Sequence, residues 1–377
     1  MGKIHFDLQD LNKLLKLRDE EGKRPNIFIW ASGRNGGKTT CVYNFLLEDA
    51  LENDHKFIII TRQKNLLNGA ANDFIVGYKY KEYDEPFSVL NMADGQVKQI
   101  VYGDRVLGSV VSLSASNNIK RMSKLLEDRL EWVFFDELIV EEGSSYVSGE
   151  MTKLQSILQS VFRMKHYNVI MATNLVSSLC PAFSTFVNSD GKNITEMLEM
   201  NREAKTLKGI GWVMKIDAIS TEIIEALSEN NRAFAASRYT RMSKSNEFMD
   251  DRTMVDKSVS KQKRTDICYL LKGDNIYLMS KVIRSGIVYV EKVKEMTNKY
   301  ITRYTLTQNN INTESLYIVG NSVIRNNLRS MYDCGYIVFD SLGTKQMILD
   351  YIKYTELEWG EGALAPSSLC IYVIHLI

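Results

Sequence analysis

The run Ile27-Phe28-Ile29-Trp30-Ala31-Ser32-Gly33-Arg34-Asn35-Gly36-Gly37-Lys38-Thr39-Thr40 decides how the rest of the chain is read. An apolar segment ends in a glycine-rich turn, and the turn ends in Lys and Thr. Beyond it, Val42, Phe45, Leu46 and Ala50 recur at helical spacing. Strand, turn, Lys-Thr and helix in that order build a cradle for nucleotide phosphate. Main-chain N–H groups of the turn point inward at an anion, and the helix adds its free N–H groups and the positive end of its dipole. The candidate nucleotide-binding residues are therefore Ser32, Gly33, Arg34, Asn35, Gly36, Gly37, Lys38, Thr39 and Thr40. Lys38 is placed to reach the β and γ phosphates of ATP, and Thr39 to offer its hydroxyl to Mg²⁺. The pattern G-x-x-x-x-G-K-[ST] has Gly where this chain has Ser32, which the turn accepts only at negative φ. An ordinary glycine-rich strand-to-helix turn is the plain alternative.

Lys56–Thr61 (KFIIIT) is a second buried strand, so strand, helix and strand form a right-handed βαβ unit. Gln99–Val106 reads as a hairpin insertion turning at Gly103-Asp104, and Ser114–Lys124 as a polar, basic loop. Trp132–Phe135 is a strand ending in Asp136-Glu137. Residues 149–165 form a helix with Leu154, Ile157, Leu158, Val161 and Phe162 on one stripe. Asn168–Thr173 and Gly211–Ile216 are further strands. Buried strands alternating with helices predict an α/β domain with a mostly parallel sheet. A polar, locally basic linker follows. Short strands return at Ile267–Leu271, Ile276–Val282, Ile287–Glu291, Ile301–Leu306 and Leu316–Val319. The expected organisation is a first domain at 1–222, a helical linker at 223–264, a smaller α/β domain at 265–358 and an apolar tail at 359–377.

Composition narrows the class. Lys plus Arg number 47 against 46 Asp plus Glu, so any basic surface must be local. Five widely spaced cysteines without a C-x-x-C pair argue against a zinc site or a disulfide framework. The polar start, Met1 to Asp10, predicts no signal peptide, and no apolar run approaches the roughly 20 residues that cross a bilayer.

Beside a phosphate loop, Asp136-Glu137 at a strand end suits hydrolysis: the first carboxylate holds Mg²⁺ and the second polarises the attacking water. Asn174, at the end of the next strand, is either a γ-phosphate sensor or a turn residue. Arg163, just past a helical apolar stripe, is either an arginine finger for a neighbouring subunit or a cation on a helix dipole. Arg34, Arg62, Lys64, Lys120 and Arg121 lie on loops leaving the sheet. They can reach phosphodiester or a neighbouring site, or be solvated surface charge.

Together these motifs resemble the DNA-packaging ATPases of small tailed phages of the phi-twenty-nine type, compact relatives of large terminases. The likeness is carried by SGRNGGKT at 32–39, VFFDELI at 133–139 with VFR at 161–163, and ATNLVSSLCPAF at 172–183, within about residues 25–355. The resemblance implies a P-loop ATPase domain of the additional-strand, catalytic-glutamate class, a linker and a C-terminal ribonuclease-H-like domain. It implies a homomeric ring, thought to be a pentamer, on the portal of an empty capsid and on a structural packaging RNA, driving double-stranded DNA inward. Its setting would be the host-cell cytoplasm, transiently at the portal vertex, with no membrane. Position by position, it makes Asp136 the metal carboxylate, Glu137 the catalytic one, Arg163 a trans-acting finger and Lys120 a trans-acting lysine. It sets Lys64 near the DNA channel; Arg62 and Arg121 are further candidate DNA contacts. The strand Ile267–Leu271 has no carboxylate, so no nuclease activity is expected. Competing readings are a helicase-like motor, a terminase with a live nuclease, and a non-catalytic portal- or DNA-binding assembly protein.

Overall fold

The structure is a computed structural model and describes residues 5–77, 83–225, 254–306 and 315–353, less short stretches within them. It divides into two units, Met1–Met249 and Asp250–Ile377.

The first unit is built on strands that are apolar along nearly their whole length, as a sheet covered on both faces requires. These are β1 (Ile27–Ser32), β2 (Lys56–Thr61), β6 (Leu130–Phe135) and β7 (Asn168–Asn174). The other strands are β3 (Phe87–Met92), β4 (Val97–Tyr102), β5 (Arg105–Ser112), β8 (Thr206–Gly209) and β9 (Trp212–Asp217). The sheet order is β3-β4-β5-β2-β6-β7-β1-β9-β8. From β5 to β9 all neighbours run parallel, and antiparallel partners close both edges. One strand, β7, lies between β1 and β6.

The helices are α1 (Leu8–Leu15), α2 (Lys38–Asn53), α3 (Leu67–Val76), α4 (Ser116–Arg121), α5 (Ser123–Leu126), α6 (Glu150–Phe162), α7 (Pro181–Thr185) and α8 (Ile194–Met200). On one face of the sheet, Leu11 and Leu14 of α1, Val42 and Leu46 of α2 and Phe74 of α3 cover Phe28, Trp30, Phe134 and Ile170. Each such side chain contributes roughly 1.5–3 kcal/mol by leaving water. Parallel register aligns the strand ends: Ser32 faces Asn174 on one side and Asp217 on the other. The carboxyl ends of β1, β6 and β7 therefore open on one edge, where open α/β sheets bind ligands.

Two local expectations change. Ser114–Lys124 is not a loop: it forms a 3-10 turn, Leu113–Ala115, then α4 and the start of α5, because Leu113, Ile119 and Leu126 are buried and pull the chain into turns against the sheet. The expected hairpin turns at Gly103-Asp104 as read, but β5 joins the parallel sheet through its buried run Leu107–Ser112 rather than standing apart as an insertion. The short edge strand β8 has too little pattern to be read.

In the second unit, β10 (Arg264–Lys272), β11 (Asn275–Val282) and β12 (Val288–Val293) form an antiparallel meander. With β13 (Thr302–Thr305), β14 (Leu316–Tyr317) and β15 (Ile337–Phe339) the order is β14-β13-β10-β11-β12-β15, the outer pairs being parallel. Helices α9 (Val323–Asp333) and α10 (Leu342–Lys353) complete it. Met254 and Asp256 bond to the main chain of Phe339, so this unit begins ahead of residue 265 and takes in the end of the expected linker. The first strand also starts earlier than read and includes Asp266, whose carboxylate accepts from Ser280 Oγ at 3.0 Å. Residues 226–253 of the expected linker and the tail at 359–377 lie outside the described residues.

Candidate active site

The phosphate loop leaves β1 at Ser32, turns through Asn35 (φ 60°) and Gly37 (φ 84°), and enters α2 at Lys38. Asn tolerates the left-handed region better than other side chains, which explains a non-glycine there. Ser32 still belongs to the strand, is fully buried, and keeps negative φ, so its departure from the glycine pattern distorts nothing. Its hydroxyl donates to Gly33 O at 2.9 Å and accepts from Lys38 Nζ at 2.6 Å.

Lys38 is buried, and its ammonium also donates to Gly33 O and Asn174 Oδ1, both at 3.0 Å. All three acceptors are neutral. Burial pulls its pKa down to about 8, Asp136 and Asp217 pull it back up, and Arg34 adds to the depression. An anion in the loop would supply the countercharge that these neutral partners lack.

Thr39 Oγ1 donates to Asp136 Oδ2 at 2.7 Å, across from the loop to the end of β6. Burial pushes the Asp136 carboxyl up, while Thr39, the Glu137 N–H and Lys38 hold it down. A hydroxyl and a carboxylate side by side are what Mg²⁺ uses when nucleotide phosphates supply its other ligands. Glu137 is exposed in the cleft and takes a left-handed backbone (φ 53°), with its N–H on Asp136 Oδ1 at 2.8 Å. The chain then crosses to β7: Leu138 N–H bonds to Ala172 O at 2.9 Å and Ile139 N–H to Thr173 Oγ1 at 3.2 Å. This crossing seats Asp136, Glu137 and Asn174 around the same space.

That space is a cleft of about 740 Å³. It is lined by Arg34 to Cys41, by Asn44, by Asp136, Glu137, Thr173 and Asn174, and by His5, Phe6, Asp7 and Leu8. The structure thus gathers the loop, both carboxylates and Asn174. The N-terminal segment and Asn44 were missed by sequence reasoning, since neither forms a motif.

Arg62 is not a surface residue. It is buried, with its guanidinium paired to Glu150 (Nε to Oε2 2.9 Å, Nη2 to Oε1 3.0 Å), and it donates to the carbonyls of Glu137 and Leu138. It lies over the rings of Phe135 and Tyr146 at 4.9 and 5.2 Å. The expectation that it contacts DNA is corrected: every face of the group is taken by protein. Burial pushes the Glu150 carboxyl up, and Arg62 opposes that shift. No local sequence signal marked the pair: Gln63-Lys64-Asn65 follow Arg62, and Ser148-Gly149 precede Glu150.

Arg163 is exposed at the end of α6, with φ 54° and ψ −107°, and does not line the cleft. Lys64 stands exposed on a 3-10 turn after β2, and half-buried Lys120 sits on α4; neither lines the cleft. Of Arg121 only its place at the end of α4 is described.

A phosphate loop at the end of β1, facing two carboxylates at the end of β6 one strand beyond its neighbour β7, defines a P-loop ATPase. The chain belongs to the Podovirus DNA encapsidation protein (Gp16) family, whose profile matches residues 21–356, and is a phage DNA-packaging ATPase. The fold is similar to the phi-28 gp11 DNA packaging motor, with 15% identity, TM-score 0.65, and coverage of 95% of this chain and 100% of that one. It is also similar to a chain of the bacteriophage phi-29 viral genome packaging motor assembly, with 17% identity, TM-score 0.58, and coverage of 94% and 100%. No curated protein sequence matches.

Proposed function

We propose that this ATPase works as a homomeric ring, a pentamer, that drives double-stranded DNA through a capsid portal, with a structural RNA as a further partner. The observation that carries the catalytic half is the Thr39–Asp136 hydrogen bond beside Glu137 and a buried, anion-seeking Lys38. Lys38 would hold the β and γ phosphates, and Thr39 with Asp136 would hold Mg²⁺, which polarises the γ-phosphate when bound. Glu137 orients and deprotonates water, and Asn174, now held by Lys38, senses the γ-phosphate. Catalysis is positioning and charge stabilisation, with no covalent intermediate.

The strand β7 between β1 and β6 supports the additional-strand, catalytic-glutamate class. Arg163, exposed on a strained helix end, suits a finger offered to the next subunit's ATP, with Lys120 as a second trans-acting cation. Lys64 and Arg121, beyond the ends of β2 and β5, would meet DNA phosphates. In the second unit, the order β14-β13-β10-β11-β12 with an antiparallel β10-β11-β12 meander supports a ribonuclease-H-like fold. Its first strand carries one carboxylate, Asp266, which accepts from Ser280 Oγ; a vestigial domain without nuclease activity is the reading that the plasmid-cutting test below decides. The protein would act in the host-cell cytoplasm, at the portal vertex while packaging lasts. The two similar structures are packaging motors, one of them a motor assembly, which supports a motor built from several chains.

The test is ATP turnover with and without duplex DNA, alongside the oligomeric state. DNA stimulation by a ring is expected. Binding without turnover would overturn the enzyme reading, and metal-dependent cutting of plasmid DNA would overturn the vestigial reading.

A further inference from the structure

The cleft is larger than a triphosphate needs, and one of its walls has no part in the phosphate chemistry. The segment His5–Leu8 lies along the phosphate loop and is fastened to it. Phe6 N–H donates to Gly36 O at 2.9 Å, and His5 Nδ1 lies 3.2 Å from Asn35 O. The Phe6 ring packs on buried Trp30 with centroids 5.2 Å apart. A Cβ on Gly36 would stand 2.5 Å from that ring, so a glycine is what lets strap and loop touch. Asp7 then caps α1, which ends the strap and anchors it to the domain.

The same cleft is lined by Thr40 and Asn44 of α2, which stack at i and i+4. Asn44 lies about 9 Å along the helix from Lys38, at 1.5 Å per residue. That is the distance at which a nucleoside hangs beyond phosphates held by Lys38. The Asn44 amide is half-buried and has no hydrogen bond among the described residues. One donor and one acceptor side by side match the N6 and N7 positions of adenine; guanine offers two acceptors there.

We infer that the gap between the His5–Leu8 strap and α2 is the nucleoside half of the nucleotide site, and that Asn44 reads the adenine edge within it. This rests on the phosphate-loop reading above. The strap closes over the ribose and base, while Lys38 and the loop hold the phosphates. Selection of ATP over GTP then comes from one amide on a rigid helix.

Calorimetry on the full chain separates the two halves, with ATP, GTP, 7-deaza-ATP and inorganic tripolyphosphate as probes. Asn44→Ala should weaken ATP about tenfold, the fold-change of one good bidentate contact, and leave tripolyphosphate and GTP unchanged. In the unaltered protein 7-deaza-ATP should bind more weakly than ATP, and in Asn44→Ala the two should bind alike. Amide exchange across residues 5–8 should slow with ATP and not with tripolyphosphate. Equal losses for ATP and tripolyphosphate, equal losses for ATP and GTP, or no loss would each overturn the assignment. Lys38→Ala should weaken all four probes; if it weakens none, the phosphate-loop reading itself fails. Ala is the better helix former at position 44, so Asn44→Ala should fold.

Discussion

Arg62 and Glu150 form a buried ion pair at 2.9 Å, and the same guanidinium holds the main-chain carbonyl of Glu137. One residue at the end of β2 thus ties the peptide after Asp136 to the first turn of α6, the helix that ends at Arg163. Arg62→Ala should cost about 3–5 kcal/mol of stability in denaturant unfolding, because it strands a buried carboxylate. Arg62→Lys should recover little, since an ammonium cannot reach both carbonyls and both carboxylate oxygens.

The same geometry separates Arg62 from its exposed neighbours in DNA binding. Lys64→Ala should flatten the dependence of log K on log salt by about 0.9, one phosphate contact. A folded Arg62→Lys variant should leave that slope unchanged. Filter or fluorescence binding across a salt series reads both.

Lys38 titrates at about 8, below its ordinary 10.5. The sign follows from burial of the charged form. Below pH 8 the buried charge costs stability, and the cost is relieved between 8 and 10.5, where only the unfolded chain keeps the proton. Lys38→Met should therefore stabilise the ligand-free protein at pH 7 and lose that advantage towards pH 10. Phosphate in the loop should raise the pKa again. At pH 9, ATP binding should take up about one proton per site, read by calorimetry in buffers of different ionisation heat.

Glu137 has its side chain in the cleft, while its main chain is clamped by Asp136 and Arg62. Glu137→Gln should keep the backbone and ATP affinity and lower turnover about 10²–10⁴-fold. Arg163→Ala should lower ring turnover about 10³–10⁵-fold. Mixing the two inactive variants should restore activity if Arg163 acts on the next subunit's ATP, and should restore none if it only caps α6.

Gly36→Ala should cost about 1–3 kcal/mol through contact with the Phe6 ring. In a Phe6→Ala background the cost should shrink, and a double-mutant cycle on thermal unfolding measures the difference.

How far the sequence alone determined this protein can be seen residue by residue. The stretch 27–40 specified strand, turn and helix because local chemistry suffices there: an apolar run, a left-handed turn carried by Asn35 and Gly37, and an apolar helical stripe. Asp136-Glu137 and Asn174 were legible for the same reason, as polar residues at the ends of buried strands. Tertiary structure alone decided the rest. Ser114–Lys124 reads polar, yet Ile119 within it and Leu113 and Leu126 flanking it are buried and make it helical. Arg62 reads as a loop cation, yet its partner Glu150 is 88 positions away, a separation no local pattern encodes. His5 and Phe6 meet the phosphate loop through bonds to Asn35 O and Gly36 O, about 30 positions away, which no local pattern encodes. Charge shows what a side chain can do; only long-range packing settles whether it faces solvent, a carboxylate or a nucleotide.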